Sequence, residues 1–373
     1  MLDPDAARRD VEHFPFLARL DTPPAWEDAA RRFLEQGGPV MVLGAPDTGK
    51  STLCRYLVYK TFAGGRPAAL VDLDLGQSHL GPPGALGLEL FPPRLPGDDS
   101  LHPDGLYFIG QTSPLGSTLE VAVGCRALAD QAARRGVDRL VVNTSGLVHG
   151  PGALRLKRAQ VELLQPRLLL GLQRGEELEL LLQGLGGNRI DGANPRGWSV
   201  LRLPVSALAT GKTPEERRHY REVRFRSYFQ EARRLSLPWR TLVWEGLPWG
   251  RGEPLAPGEL EQYTNNLGVG VLYGEISGGR TALLTAEPPP GRPHPGPGES
   301  LNWLTWSAMH YRLVGFLDGA RRTLGLGLIL PSPFHPEEMA FWTPLGQAAA
   351  GGTRFLKVGK MRVSLTGKEL AYV

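Results

Sequence analysis

Cysteine is scarce in this sequence of 373 residues, which contains only Cys54 and Cys125. The two residues do not have the spacing of a metal-binding pair, and this argues against a cysteine-based metal site. Cys54 falls on the inner face of the helix that is predicted to follow residue 50. We therefore expect both cysteines to be buried thiols.

Long hydrophobic runs are also missing. No apolar stretch approaches the roughly 20 residues that a helix needs to span a bilayer, and this argues against a membrane partner. The first residues, Met1–Asp5, have neither the basic region nor the apolar region of a secretory signal. We expect a cytoplasmic protein.

Neither sign of charge is in large excess. Charged residues make up 21% of the chain, hydrophobic residues make up 41%, and the formal net charge is +4. This composition is typical of soluble globular proteins. The small positive charge is compatible with a polyanionic partner but does not demonstrate one. The length predicts two or three domains.

The segment Gly44–Thr52 reads G-x-x-x-x-G-K-S-T and is the strongest functional signal in the chain. The apolar run Val40–Leu43 predicts a buried strand before it, and apolar residues at helical spacing predict a helix after it. In this arrangement backbone amides surround the phosphates of a nucleotide, Lys50 reaches the β and γ phosphates, and the Ser51 hydroxyl ligates Mg²⁺. The predicted nucleotide-binding residues are Gly44, Asp47, Thr48, Gly49, Lys50, Ser51 and Thr52.

A second apolar run, Ala68–Asp74, ends in two carboxylates. Residues two apart on a strand share a face, so Asp72 and Asp74 are predicted to point toward the phosphate site. One carboxylate could hold Mg²⁺, and the other could accept a proton from an attacking hydroxyl group. The alternative is a solvated acidic strand end, which is rare after so apolar a run.

Alternating strands and helices continue to about residue 170 and predict an α/β fold with a mainly parallel sheet, flanked by helices. The segments Gly110–Pro114 and Asn143–Gly146 follow predicted strands, where ligands of such sheets bind. Alternatively, the polar residues of either segment could simply form a turn. Trp26, near the start of an earlier helix, could stack on a base or pack in the core, and packing is the favoured interpretation.

A helix is predicted from residue 213, because Thr213 and Glu216 form a capping box and Pro214 occupies the first helical position. Its residues Arg217, Arg221 and Arg224 lie on one face of the helix and make a cationic stripe. No acidic residue lies along this stripe at the spacing needed to pair with them. The alternative is a solvated face, but mutual repulsion of the arginines favours a role facing phosphate.

After Pro238 the pattern changes to short alternating apolar runs, which predict a smaller β-rich C-terminal domain. Residues 287–298 are rich in proline and glycine and predict a linker or exposed loop. Near the end lies a basic cluster that could follow a nucleic-acid backbone or could simply be solubilising surface. The predicted division is a lead-in segment, 1–39, a P-loop domain, 40–236, with a lid helix over about 213–234, and a C-terminal domain, 237–373. The basic cluster comprises Arg354, Lys357, Lys360, Arg362 and Lys368.

Together these motifs resemble the Clp/Grc-type polynucleotide 5′-hydroxyl kinases of RNA processing, over most of the chain. Each motif is unspecific alone, but the combination is specific. The resemblance rests on the P-loop with aspartate at its fourth position, Asp47, the Walker B-like segment Asp72–Gln77, the strand-end loops Thr112–Pro114 and Asn143–Gly146, and the lid arginines Arg217 and Arg221.

The resemblance implies that ATP is the phosphate donor and that the 5′-hydroxyl end of RNA or DNA is the acceptor. It also implies that Asp74 is the general base and belongs to the Mg²⁺ shell, and that the lid arginines clamp the transferring phosphoryl group. The implied catalytic residues are Lys50, Asp74, Arg217 and Arg221, the metal residues Ser51, Asp72 and Asp74, and the substrate-binding residues Gln77, Thr112, Ser113, Asn143, Thr144, Gly146 and Leu147.

The sequence departs from the family pattern at two positions. Leu147 stands where the family often has a tryptophan that clamps the substrate strand, and Lys212 stands where a further lid arginine is common. Both departures bear on how the substrate strand is held and on the preference between RNA and DNA.

Three functions are compatible with the sequence. The first is an ATP-dependent polynucleotide 5′-hydroxyl kinase, and it is favoured because every acid, base and cation that the reaction needs is present. The second is a non-catalytic ATP-binding scaffold of an RNA-processing assembly. The third is a P-loop GTPase or small-metabolite kinase, although the N-K-x-D motif of guanine recognition is absent from the sequence.

Overall fold

The computed structural model describes residues 21–91, 103–186, 192–193, 197–250, 252–290, 300–370 and 372. Part of the predicted lead-in segment, 1–20, and most of the predicted proline and glycine loop, 291–298, lie outside the described residues. The chain divides into two compact units, the N-terminal unit Met1–Arg221 and the C-terminal unit Glu222–Val373. The predicted domain boundary after residue 236 stays a prediction.

The N-terminal unit is an eight-stranded sheet with helices on its faces. Its strands are β1 Gly38–Gly44, β2 Ala68–Asp72, β3 Ala85–Phe91, β4 Gly105–Phe108, β5 Arg139–Asn143, β6 Leu168–Gln173, β7 Gly192–Ala193 and β8 Ser199–Pro204. Its helices are α1 Pro24–Gln36, α2 Lys50–Ala63, α3 Thr118–Arg134, α4 Gly150–Leu164, α5 Glu179–Gly184 and the start of α6, Pro214–Tyr228.

The strand order of this sheet is β4-β3-β2-β5-β1-β6-β8-β7. Strands β2, β5, β1, β6 and β8 are mutually parallel, whereas β3 and β4 at one edge and β7 at the other are antiparallel to their neighbours. The predicted mainly parallel sheet is therefore confirmed. Because β1 lies between β5 and β6, the carboxyl ends of these three strands bring their loops together at one edge.

Both faces of the sheet are covered, which explains why its central strands are apolar along their whole length. Consecutive residues of β1 pack into different hydrophobic cores: Met41 packs on one face of the sheet and Val42 packs on the other. Cys54 and Cys125 are buried, as predicted. Trp26 is 1% exposed and packs beside Tyr56, as the packing interpretation predicts, and it also lines the pocket at the carboxyl edge of the sheet.

The C-terminal unit contains two further sheets, and the predicted β-rich character of this region is confirmed. No helix among the described residues is long and apolar enough to span a membrane. The six-stranded sheet has the order β10-β18-β15-β16-β17-β9, with β9 Arg233–Leu237, β10 Val243–Glu245, β15 Arg312–Leu317, β16 Thr323–Ile329, β17 Met339–Thr343 and β18 Phe355–Arg362. The four-stranded sheet has the order β11-β12-β13-β14, with β11 Glu253–Pro254, β12 Val271–Ser277, β13 Arg280–Thr285 and β14 Ser300–Thr305. The helices of this unit are α7 Pro257–Leu267, α8 Trp306–Met309 and α9 Gln347–Ala350.

Candidate active site

A pocket of about 680 Å³ opens at the carboxyl edge of the N-terminal sheet. All of its lining residues lie between Asp21 and Arg221, so the pocket belongs to the N-terminal unit alone. Predicted site residues that line it are Asp47, Gly49, Lys50, Ser51, Thr52, Asp74, Gln77, Thr112, Ser113, Gly146, Leu147, Arg217 and Arg221. The other predicted residues, Gly44, Thr48, Asp72, Asn143 and Thr144, do not line the pocket.

The predicted P-loop is formed by β1, a five-residue turn and the N-terminus of α2. Gly49 has φ 86° at the start of α2, a left-handed conformation that glycine adopts without strain. The Lys50 amino group donates to the Ala45 carbonyl oxygen at 2.7 Å, and the Thr48 hydroxyl donates to the same oxygen at 3.0 Å. Burial lowers the pKa of Lys50. The α2 N-terminus and its lysine therefore face the pocket as an anion site.

Asp72, the last residue of β2, is 1% exposed, and both of its carboxylate oxygens are occupied. Oδ1 accepts from the Asp74 amide and the Asn143 side chain, each at 3.0 Å. Oδ2 accepts from the Ser78 hydroxyl at 3.2 Å and the His79 amide at 2.9 Å. Burial and the nearby Asp74 carboxylate raise the pKa of Asp72. Asp72 therefore fixes the loop that follows β2.

Asn143 connects this carboxylate to the P-loop. Its Nδ2 donates both to Asp72 Oδ1 and to Ser51 Oγ, the latter at 3.1 Å. Because a carboxylate only accepts, the contact with Asp72 fixes which end of the amide carries nitrogen. The opposite end, Asn143 Oδ1, is buried and has no hydrogen-bond partner in the part of the chain that the structure describes.

Asp74 lies in the loop after β2, because the strand ends two residues earlier, and it faces the pocket. Its Oδ1 accepts from the amides of Gly76 and Gln77 at 3.0 and 2.9 Å. These bonds hold the carboxylate in one orientation. Within the described part of the chain no hydrogen bond reaches Oδ2, so this oxygen is available to a ligand.

The second predicted strand-end loop, Asn143–Gly146, lies directly against the P-loop, and we call this loop together with Leu147 the acceptor loop. The Thr144 hydroxyl donates to the Val42 carbonyl of β1 at 2.8 Å. A Cβ atom on Gly146 would stand 2.8 Å from Pro46 Cγ and 2.9 Å from Pro46 N, so only glycine permits this approach. Leu147 follows and lines the pocket.

The first strand-end loop is held from within. Gln111 is 6% exposed and donates from Nε2 to the carbonyls of Ser113 and Leu115 at 2.6 and 2.7 Å. This contact leaves Thr112 and Ser113 on the pocket wall.

The lid helix α6 begins as predicted. The Glu216 amide donates to Thr213 Oγ1 at 3.1 Å and the Thr213 amide donates to Glu216 Oε2 at 2.7 Å, which forms the predicted capping box. Of the predicted arginine stripe, Arg217 and Arg221 line the pocket. Arg224 is only 6% exposed and does not line it.

One residue of the P-loop, Asp47, and one of the Walker B-like segment, Gln77, hold Arg217 in place. Its Nη2 donates to Asp47 Oδ2 at 2.5 Å, and its backbone carbonyl accepts from Gln77 Nε2 at 3.1 Å. Asp47 Oδ2 also accepts from the Lys212 amide at 2.9 Å. Among the described residues, Arg217 Nε is buried and has no hydrogen-bond partner.

Sequence reasoning missed several residues of this region. His79 lines the pocket, and Arg174 donates to the Asp47 carbonyl at 3.1 Å. Arg174 directly follows β6, so the strand-end rule that selected the two loops could have found it. Lys157 of α4 is fully buried and donates to Ser145. Lys157 occupies a position of the helical repeat that apolar residues otherwise fill, and this position is unusual for a lysine.

The chain is similar in sequence to known proteins. The family model of the mRNA cleavage and polyadenylation factor CLP1 P-loop matches residues 44–231. A polyribonucleotide 5′-hydroxyl-kinase of Pyrococcus furiosus is 28% identical over 352 residues, which cover 94% of this chain and 95% of that protein. One from Methanocaldococcus jannaschii is 26% identical, with 89% and 88% covered. The polyribonucleotide 5′-hydroxyl-kinase Clp1 of Xenopus laevis is 31% identical over 58% of this chain and 49% of its own length.

A solved structure of a wild-type Clp1p–Pcf11p complex resembles the chain in fold. The TM-score is 0.58 at 13% identity, with 90% of this chain and 77% of that chain covered. At this level of identity the likeness concerns the fold alone.

Proposed function

Because the chain belongs to the CLP1 P-loop family, we propose that it is a polynucleotide 5′-hydroxyl kinase, which transfers the γ-phosphate of ATP to the 5′-hydroxyl end of a nucleic acid. The family match confirms the resemblance inferred from the motifs. The observation that carries the function is a single pocket lined by a P-loop lysine, a carboxylate with an available oxygen and two lid arginines.

The proposed roles follow from where the charges lie. Lys50 and the amides of the α2 N-terminus bind the phosphates of ATP. Asp74 Oδ2 accepts the proton of the attacking 5′-hydroxyl, because Oδ1 is already held by two backbone amides. Arg217 and Arg221 stabilise the negative charge on the transferring phosphoryl group.

Mg²⁺ is the metal that the family implies, and the donor set fits it. Ser51 and Asp74 both line the pocket and offer oxygen atoms, the ligands that Mg²⁺ prefers directly or through water. Bound there, the ion would neutralise phosphate charge. Asp72, with both oxygens occupied, acts on this site through Asn143 and the Asp74 amide.

The acceptor strand is proposed to enter along the part of the pocket that the loops after β2, β4 and β5 form. Gln77, Thr112, Ser113, Gly146 and Leu147 line this part of the pocket. Asn143 and Thr144 do not line it and hold the acceptor loop from behind. RNA and DNA ends are both proposed acceptors. The cytoplasmic location stays a prediction.

The test is transfer of label from γ-labelled ATP to a 5′-hydroxyl oligonucleotide in Mg²⁺. We expect end-labelling of RNA and DNA that requires Lys50. Parallel reactions with GTP, and with nucleosides in place of oligonucleotides, test the small-metabolite alternative. ATP binding without any labelling, across several oligonucleotides, would support the non-catalytic scaffold instead.

A further inference from the structure

Lys157 is a charged residue in a buried position that the proposed reaction does not use. It lies on α4 with an exposed fraction of 0%, on the same face as the buried residues Ala153, Val161 and Leu164. Its amino group donates to the Ser145 carbonyl oxygen at 2.9 Å and to Ser145 Oγ at 3.3 Å. Within the described residues both of its partners are therefore atoms of one acceptor-loop residue.

Burial of a lysine without a carboxylate partner is costly, because the amine loses its hydration. Burial lowers the pKa of Lys157 to about 7, and the positive charge of Lys50 adds to this effect. A methionine would fill the same space without that cost. Packing alone does not account for the lysine, whereas its hydrogen bonds to Ser145 do.

Each residue around Ser145 is tied to a different element. Asn143 is bonded to Ser51 and Asp72, and Thr144 is bonded to β1. Gly146 contacts Pro46 of the P-loop. Lys157 supplies the contact that ties Ser145 to α4, and Ser145, Gly146 and Leu147 all line the pocket.

We infer that Lys157 is a positioning residue for the nucleic-acid acceptor, which holds the pocket wall of Ser145, Gly146 and Leu147 through its two hydrogen bonds to Ser145. The inference rests on the proposed function, because it assigns that wall to the acceptor strand. The phosphates of ATP bind to the P-loop and the lid in the proposed reaction. Loss of Lys157 should therefore weaken binding of the acceptor much more than binding of the nucleotide.

The test measures binding separately from transfer. Lys157→Met removes both hydrogen bonds and keeps the volume, and Arg155→Met, an exposed position on the same helix, is the matched control. Anisotropy of a 3′-labelled 5′-hydroxyl oligonucleotide and calorimetry of ATP give the two dissociation constants. We expect oligonucleotide binding to weaken about tenfold in Lys157→Met, as for a misplaced substrate contact, while ATP binding and the control stay at the wild-type level.

A double-mutant cycle with Ser145→Ala tests whether Lys157 acts through Ser145. We expect the two substitutions to weaken oligonucleotide binding less than additively, since Ser145→Ala removes the Oγ contact that Lys157→Met also removes, and leaves only the bond to the Ser145 carbonyl in place. Additive effects, equal weakening of oligonucleotide and ATP, or unchanged oligonucleotide binding in a folded variant would each overturn the inference. If Lys157→Met fails a melting check, Lys157→Leu, which also removes both hydrogen bonds, takes its place.

These outcomes separate the two proposals. A wild-type protein that binds the oligonucleotide but transfers no phosphate contradicts the kinase function, and the binding comparison still decides the role of Lys157. A wild-type protein that transfers phosphate, with a Lys157→Met variant that binds the oligonucleotide as tightly, contradicts the positioning role alone.

Discussion

Asp47 Oδ2 lies 2.5 Å from Arg217 Nη2, across 170 positions of the sequence. The same oxygen accepts from the Lys212 amide, just before the lid helix. The carboxylate at the fourth position of the P-loop thus holds both the lid helix start and the first lid arginine. Asp47 itself has φ 58°, a left-handed conformation that aspartate and asparagine tolerate better than most residues.

We predict that Asp47→Asn slows turnover about tenfold, because the ion pair that orients Arg217 becomes a weaker hydrogen bond to a neutral amide. Asparagine keeps the left-handed backbone, so the P-loop stays intact and ATP affinity changes less than turnover. Turnover at saturating ATP and oligonucleotide checks this. Faster turnover than in the wild type would mean that Asp47 restrains Arg217 rather than orienting it.

Local features of this chain could be predicted from sequence, and contacts between distant segments could not. The P-loop and the capping box of Thr213 and Glu216 depend on neighbouring residues only, and both form as expected. The full burial of Asp72 depends on Ser78 and His79, which fold back on it, and no periodicity signals that. Arg224 follows the same helical stripe as Arg217, but tertiary packing buries it.

Lys50 and Asp74 are predicted to be indispensable for transfer. Lys50→Ala removes the cation that faces the phosphates, and Asp74→Asn removes the proton acceptor while keeping the shape of the side chain. We expect both variants to lose activity and to retain a cooperative melting transition. Lys60→Ala, on the same helix as Lys50 and outside the pocket, is the control. Near-wild-type turnover of Asp74→Asn would contradict the general-base role.

The two lid arginines are predicted to act on the transition state. Arg217→Ala and Arg221→Ala should each lower turnover roughly a hundredfold or more, as expected for loss of a charged donor to the transferring group. Nucleotide affinity should change less. Arg218→Ala is the control, because Arg218 is exposed and does not line the pocket. If all three variants turn over alike, the lid arginines form a solvated face.

The buried Lys157 predicts a pH dependence of stability. Its folded-state pKa is about 7, whereas an unfolded lysine titrates near the ordinary value of about 10.4, so between these values the unfolded chain binds more protons. The free energy of unfolding therefore rises with pH, by at most about 1.4 kcal/mol per pH unit from this group. Lys157→Met should lack this contribution. Denaturation of both proteins at pH 7, 8 and 9 checks it, and parallel pH profiles would contradict it.

Leu147 lines the pocket beside Gly146, at the position where the family often has a tryptophan. An aromatic ring stacked on a base contributes about 1 to 3 kcal/mol, whereas leucine offers only a smaller apolar contact without a π face. The strand should therefore be held mainly through its phosphates. Phosphate contacts do not sense the 2′-hydroxyl directly, so we expect modest discrimination between RNA and DNA ends and marked weakening of binding as salt rises.

Leu147→Trp should lower the Michaelis constant for the oligonucleotide, because the new ring stacks on a base at the pocket wall. The salt dependence should flatten only slightly, since the phosphate contacts remain. The measurement is the oligonucleotide Michaelis constant over a range of salt concentrations, with Leu180→Trp as the control, a substitution at an 86% exposed position outside the pocket. An unchanged Michaelis constant in a folded Leu147→Trp protein would mean that Leu147 does not touch the strand and only packs against the sheet.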